Sequence, residues 1–138
     1  MTKHLLSVLA GAAILAAFTP LSITTSAAEL NCRVPFDFVA NGAAMPAGQY
    51  ALSTTGGGAL LLRGMQKSAV VMTSLADRRA DRIGRAQVVF LKTGERYTLI
   101  EVWTTDGLAR AVPGERKHVE DRARAANIAV ERIVVLAN

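Results

Sequence analysis

The residues best suited to chemistry lie in a short basic segment, residues 76–85, where arginines alternate with Asp77 and Asp81. The arginines are Arg78, Arg79, Arg82 and Arg85. A guanidinium group can form two parallel hydrogen bonds to a carboxylate or phosphate, so these four side chains are a candidate anion-binding site. In the alternative interpretation the segment is a solvated loop or a single helical turn. Its arginines then pair with the two aspartates, and such exposed ion pairs are weak evidence of function.

Residues for catalysis or metal binding are scarce. His118 and Cys32 match no zinc spacing, and nucleophilic catalysis would require Ser53, Ser68 or Ser74 to meet His118 in the fold. We therefore expect no metal ion or other cofactor and favour a noncatalytic binding or structural protein. The alternative is a small hydrolase or isomerase that uses a cavity of the fold. Polar groups converging on His118 would favour the enzyme, and a plain apolar lining would favour binding.

Residues 1–28 have the pattern of an export signal. Lys3 precedes an apolar run at residues 5–18, and Ser26 and Ala28 are small residues at the spacing of a cleavage site. The run is shorter than the roughly 20 residues that a spanning helix needs. We predict a cleaved signal peptide over residues 1–28 and a single β-rich domain over residues 29–138. The protein is then exported to the periplasm or the extracellular space, with no transmembrane segment after cleavage.

The charge balance favours anionic partners. The formal charge of the whole chain is +5, and removal of residues 1–28 takes away only the charge of Lys3. Because export separates the protein from nucleic acid, we expect an anionic envelope lipid, a polysaccharide or another protein as partner, and no nucleic acid. Cys32 is the only cysteine, so it either pairs between chains or stays a free thiol.

The fold is predicted to be organised around a β-hairpin at residues 87–104. Two runs rich in β-branched and aromatic residues flank Gly94 and Glu95, where glycine can adopt the positive φ of a tight turn. Both faces of this hairpin are largely apolar. We therefore expect it to be covered twice, by a facing sheet or closing barrel on one side and by a helix or loops on the other.

The register of this hairpin follows from its turn. Regular pairing places Phe90 opposite Leu99 and Val88 opposite Glu101. The Glu101 carboxylate then lies among apolar positions, where it needs a cationic partner or contact with water. Candidate partners nearby in the sequence are Lys92 and Arg96.

Alternating or continuous apolar patterns predict the remaining elements. The further strands are expected at residues 33–39, 49–53, 59–63, 69–74 and 128–136. A helix with a thin apolar stripe is expected at residues 113–126, followed by Asn127 as its C-terminal cap. The predicted fold is mainly β, an antiparallel meander of about seven to eight strands closing into a small barrel or sandwich. One C-terminal surface helix precedes the last strand.

Three stretches of the chain resemble a group of short exported bacterial proteins. They are Val34-Pro35-Phe36-Asp37-Phe38, Met45-Pro46-Ala47-Gly48-Gln49-Tyr50, and the hairpin from Val88 to Trp103. The group has a Val-Pro-Phe-x-Phe opening, a Leu-Pro-Ala-Gly-x-Tyr turn and a Phe-x-x-x-Gly-x-x-Tyr-x-Leu-x-x-Val-Trp hairpin, and Met45 stands where it has leucine. The resemblance covers residues 33–104. It implies an exported protein of unknown function and carries over no catalytic residue.

Overall fold

A computed structural model describes residues 29–138, so the predicted signal peptide lies outside the described residues. In chain order the elements are β1 (Glu29–Val34), β2 (Phe38–Ala40), β3 (Ala43–Met45), β4 (Gly48–Thr54), β5 (Ala59–Gly64), β6 (Ser68–Met72), β7 (Ser74–Arg78), a 3₁₀ turn (Ala80–Arg82), β8 (Gln87–Thr93), β9 (Arg96–Trp103), β10 (Leu108–Ala111), α1 (Glu115–Ala125) and β11 (Val130–Leu136). The described part of the chain is mainly β with one α-helix, as the sequence predicts.

The strands form two sheets. The first has the order β1-β4-β5-β6, and the second has the order β11-β8-β9-β10-β7, with the short β2–β3 hairpin attached to β9. The described residues contain eleven strands where seven to eight were expected, and β11 lies beside β8 instead of at the end of a meander. The physical reason is that β8 is buried along Gln87–Leu91, so its backbone needs a hydrogen-bonding neighbour on both sides.

The inner faces of the two sheets share one apolar core. Leu52 and Leu62 from the first sheet belong to the same cluster as Phe90 and Leu99 from the second. This arrangement is sandwich-like, and the described strands do not form a closed barrel.

The two sheets meet at both of their lateral edges. Only Thr73 separates β6 from β7, so the chain passes from one sheet into the other almost without interruption. On the opposite side, Cys32 bridges to Ala137, and the backbones of Asn31 and Asn138 exchange two hydrogen bonds of 2.9 Å. These contacts fix the position of β11 relative to the first sheet.

The turn of the central hairpin is as predicted. Gly94 has φ +60°, and Glu95 has no positive φ, which is the φ pattern of a type II′ turn. From this turn the ladder runs in the predicted register as far as Phe90 opposite Leu99.

Beyond Phe90 the predicted register is wrong. A β-bulge shifts the pairing by one residue, so Val88 lies opposite Val102, and Val89 lies opposite Glu101. Ile100 is the extra residue on β9. Leu99 and Val102 belong to the inner core, whereas Ile100 and Trp103 belong to a separate cluster on the outer face. A regular strand would alternate strictly, so the bulge changes which side chains face outward.

The predicted strand at residues 33–39 is divided in two. β1 ends at Val34 and β2 begins at Phe38, because the chain crosses from the first sheet to the second between them. Pro35 lies in this crossing, where it has no ladder hydrogen bond to lose. Phe36 stacks on Tyr97 with ring centroids 3.8 Å apart.

Helix α1 covers the outer face of the hairpin. It begins after Gly114, two residues later than predicted, and its buried side chains are Val119 and Ala123. Asn127 has φ +53°, and the Ile128 N–H donates to the Ala123 carbonyl at 2.8 Å, so the predicted C-terminal cap is a Schellman motif. Val119 shares the outer cluster with Val89, Leu91, Ile100, Trp103 and Ala109. The prediction that both apolar faces of the hairpin are covered is therefore confirmed.

Candidate arginine site

The structure brings together two of the four arginines predicted as an anion site and adds a third that was not predicted. Arg79 and Arg82 line a cavity of about 460 Å³ together with Arg132 from β11. Arg78 instead lines the neighbouring cavity beside Asp106. Arg85 lines neither cavity. The predicted loop or helical turn is partly correct, because Arg82 ends a 3₁₀ turn while Arg78 ends strand β7.

A turn after β9 holds the backbone of the basic segment. The Arg79 N–H donates to the Gly107 carbonyl at 2.9 Å, and the Gly84 N–H donates to the Thr105 carbonyl at 2.7 Å. Gly107 has φ +79°, and a Cβ atom there would lie 2.4 Å from the Arg79 carbonyl oxygen. Only glycine therefore allows this close approach, which fixes where the arginines emerge.

Arg82 is the most buried of the three arginines and contacts two neighbouring side chains. It is half-buried, and its Cζ lies 5.6 Å from the centroid of the Trp103 ring. Its Nη1 donates to Gln87 Oε1 at 3.4 Å. Arg79 and Arg132 are exposed at the rim. A cation held over an indole face loses less conformational entropy when it binds a ligand than a free surface arginine does.

Glu101 lies on the outer face because of the bulge. Its Oε1 accepts a 2.5 Å hydrogen bond from Trp103 Nε1, and its Oε2 is 3.6 Å from Arg116 Nη2. The Glu101 side chain is only 15% exposed. The partners suggested by the sequence, Lys92 and Arg96, are not the ones used. Lys92 Nζ lies instead 5.5 Å from the centroid of the Tyr97 ring.

Asp77 is the second carboxylate of the cavity. Its Oδ1 accepts the Arg78 N–H at 2.7 Å, and its Oδ2 accepts Arg79 Nε at 3.0 Å. These hydrogen bonds, that of the Arg78 backbone first, lower the pKa of Asp77 from its ordinary value. Arg79 therefore pairs with an aspartate, as the alternative interpretation of the segment expects. In the part of the chain that the structure describes, Asp81 forms no ion pair.

The lining of the cavity carries an excess of positive charge. Arg79, Arg82 and Arg132 face Asp77 and Glu101. Over residues 29–138, Asp77 pairs with Arg79 and Glu101 pairs with Arg116. Arg82 and Arg132 have no carboxylate within 4.0 Å among these residues. Two guanidinium groups thus keep hydrogen-bond donors for a ligand.

The groups considered for catalysis do not meet at this cavity. His118 is exposed on α1, and Ser68 and Ser74 are exposed on strands of different sheets. Cys32 is buried in the inner core, where burial raises the pKa of its thiol to about 11, so the thiol is protonated and inaccessible at neutral pH. Within the described residues, no group of three or more His, Cys, Asp or Glu side chains has the geometry of a metal site.

A second, larger cavity is different in character. It is an open groove of about 590 Å³ between the β2–β3 hairpin and the tip of the β8–β9 hairpin. Most of its lining is apolar, and its charged rim residues are Asp37, Glu95 and Arg96. A plain apolar lining of this kind favours binding over catalysis.

Comparison of the chain with protein-family models, with curated proteins and with solved structures gives no match. The resemblance noted from the sequence therefore remains an expectation.

Sequence reasoning missed Arg132, Trp103 and Glu101 as parts of the cavity. The signal that could have found Arg132 is the alternation within residues 128–136, which places Arg132 on the same face as Val130 and Val134. That signal becomes useful only once β11 is known to lie beside β8, since Arg132 then pairs with Leu91 on the outer face.

Proposed function

We propose that this protein is an exported, noncatalytic β-domain of the cell envelope or the extracellular space that binds an anionic group in the arginine cavity. The observation that carries the proposal is that Arg132 of β11 lines the same cavity as Arg79 and Arg82, which lie at the two ends of the 3₁₀ turn about 50 residues earlier in the chain. If the basic segment were only a solvated connector, there would be no reason for an arginine of a distant strand to lie beside its arginines.

The physical case rests on Arg82 and Arg132. Neither has a carboxylate partner within the described residues, and Arg82 is held by Trp103 and Gln87. A charge-assisted hydrogen bond from such a group contributes about 1.5–3 kcal/mol. Because the cavity opens to solvent, binding should weaken as salt rises past about 0.1 M, where the screening length is about 10 Å.

The exported location is supported by the signal pattern in residues 1–28. Between residues 29 and 138, no helix is long and apolar enough to cross a membrane. Mass spectrometry of the protein recovered from outside the cytoplasm should find a mature chain that starts near Glu29. Recovery of an intact chain from Met1 would contradict the cleavage site.

The finer form of the predicted closure is a partly closed shell, in which the ends of β1 and β11 are bridged whereas β6 and β7 are linked by the chain without pairing. Support comes from the single-residue link at Thr73 and from the Cys32–Ala137 bridge. Slow amide hydrogen exchange at Asn31 and Asn138 is the expected sign of this closure.

The binding experiment uses titration calorimetry at low salt with a soluble acidic polysaccharide, and sedimentation with anionic lipid vesicles. Wild-type protein should bind one of these two surfaces. The double variant Arg82→Gln/Arg132→Gln should bind that surface at least about tenfold more weakly, because two charge-assisted contacts are lost. The matched control is Arg78→Gln/Arg85→Gln, which removes the same charge outside the cavity and should change affinity less than about threefold.

Two results would contradict the proposal. One is a wild-type protein that binds neither surface at low salt. The other is an equal loss of binding in both double variants, because binding would then depend on net charge and not on the cavity.

A further inference from the structure

The arginine cavity contains two carboxylates that a simple anion site would not have. Glu101 and Asp77 lie in the lining beside Arg79, Arg82 and Arg132. A bare anion gains nothing from a neighbouring carboxylate and is repelled by it. The composition therefore suits a ligand that carries hydrogen-bond donors next to its negative charge.

Glu101 keeps capacity to accept further hydrogen bonds. A carboxylate has about four lone-pair sites, and Trp103 Nε1 uses one of them. Arg116 Nη2 is 3.6 Å away, which is an ion pair but longer than a hydrogen bond. The indole N–H holds the carboxylate in one orientation, so its remaining lone pairs are preorganised.

Asp77 is the second carboxylate in the lining and also keeps free acceptor sites. The Arg78 N–H and Arg79 Nε occupy one site on each of its oxygens, which leaves one further site on each. The cavity thus offers guanidinium donors and carboxylate acceptors together, in a volume of about 460 Å³ that lies within the range of small-ligand sites.

Building on the proposed function, we infer that the ligand is an acidic sugar unit, in which a carboxylate binds Arg82 and Arg132 while ring hydroxyls donate to Glu101 and Asp77. The unit can be free or part of a polysaccharide. An anion without hydroxyl groups satisfies only the first half of this arrangement.

The test compares two ligands of equal charge and similar ring size, glucuronate and cyclohexanecarboxylate, by calorimetry on the full chain as purified. Wild-type protein should prefer glucuronate, because cyclohexanecarboxylate has no hydroxyl to donate. In Glu101→Gln this preference should fall roughly fivefold or more, since a neutral amide is a weaker acceptor than a carboxylate. Glutamine can still accept the Trp103 N–H, so the fold should persist.

Controls separate the two proposals. Asp77→Asn should lower the preference for glucuronate in the same direction, and Glu131→Gln, which removes a carboxylate outside the cavity, should leave it unchanged. If Arg82→Gln/Arg132→Gln weakens both ligands but Glu101→Gln and Asp77→Asn leave their ratio unchanged, the anion site stands and the sugar assignment is wrong. If the arginine variant weakens neither ligand, the proposed function itself is wrong.

The source of the sugar unit is decided by a further pair of ligands. Polygalacturonate that binds more tightly per uronate unit than free galacturonate identifies a polymer as the ligand. Equal affinity per unit identifies a free sugar acid.

Discussion

The two halves of the central hairpin differ in regularity. Near the turn, β8 and β9 pair without interruption as far as Phe90 and Leu99. Farther from the turn, Ile100 is an extra residue, and the ladder resumes one position later with Val89 opposite Glu101. The regular half supplies the inner core with Phe90 and Leu99, whereas the bulged half supplies the arginine cavity with Glu101 and Trp103.

This difference shows how a candidate site can be built on a strand that also serves the core. Strict alternation would place Glu101 on the same face as Leu99, where the carboxylate would be buried in the inner core. The bulge leaves Val102 in the core and moves Glu101 outward beside Trp103. Bulges are known to redirect side chains next to functional sites, and here the redirected residue is the carboxylate of the cavity.

Deleting Ile100 tests this comparison with the largest expected effect. The deletion restores a regular ladder in which Glu101 still lies opposite Val89, so the cavity should survive. Loss of the Ile100 side chain, which is 2% exposed, should lower the free energy of unfolding by about 2–5 kcal/mol. Urea denaturation measures the stability, and calorimetry with the anionic ligand measures the site.

Ile100→Ala is the matched control for the deletion, because it removes the side chain and keeps the bulge. The deletion should cost about 1 kcal/mol more than the alanine variant, since the Ile100 carbonyl also accepts the Val112 N–H at 3.0 Å. Binding that is retained in Ile100→Ala and lost in the deletion would show that the extra residue itself orients Glu101.

The regular half is the part that sequence could predict. Its register depends on Gly94 and on a few apolar pairs close to it in the chain, and both signals are local. The cap at Asn127 and the buried residues of α1 were predictable for the same reason. The bulge was not, because it depends on packing of Ile100 and Trp103 against a helix that follows later in the sequence.

The cavity depends even more on contacts between distant parts of the chain. Arg132 reaches it only because β11 pairs with β8, about 40 residues earlier. Arginines within residues 76–85 were recognisable by composition, but composition could not separate Arg79 and Arg82 from Arg78 and Arg85. That separation is set by the end of β7 and by the turn at Gly107, neither of which has a strong local pattern.

Replacing Gly94 tests the regular half with an intermediate effect. A β-branched residue is strained at φ +60°, so Gly94→Val should lower the free energy of unfolding by about 1–3 kcal/mol. No atom lies within 4 Å of the added Cβ, so the cost comes from the backbone alone. Gly56→Val is the control, since Gly56 has open space and no positive φ. A thermal melt that Gly94→Val leaves unchanged would contradict the turn, and anion binding should be unaffected in both variants.

The smallest expected effect concerns the turn that ends the bulged half. The Thr104 hydroxyl donates to Asp106 Oδ1, and this hydrogen bond, followed by the Leu108 N–H, lowers the pKa of Asp106 in the folded protein. A carboxyl group whose folded pKa is lowered stabilises the fold above its unfolded pKa, near 3.9, and loses that contribution as pH falls through the lower folded value. Because Asp106 is exposed, the contribution should be below about 1 kcal/mol.

Asp106→Asn should therefore reduce the loss of stability between pH 5 and pH 3 relative to wild type, as measured by thermal melts across that range. Asp81→Asn is the control, because Asp81 makes no side-chain hydrogen bond or ion pair in the part of the chain described, and it should keep the wild-type acid profile. An acid profile of Asp106→Asn that matches wild type would mean that the turn is held by Gly107 and its backbone contacts alone, without help from the carboxylate.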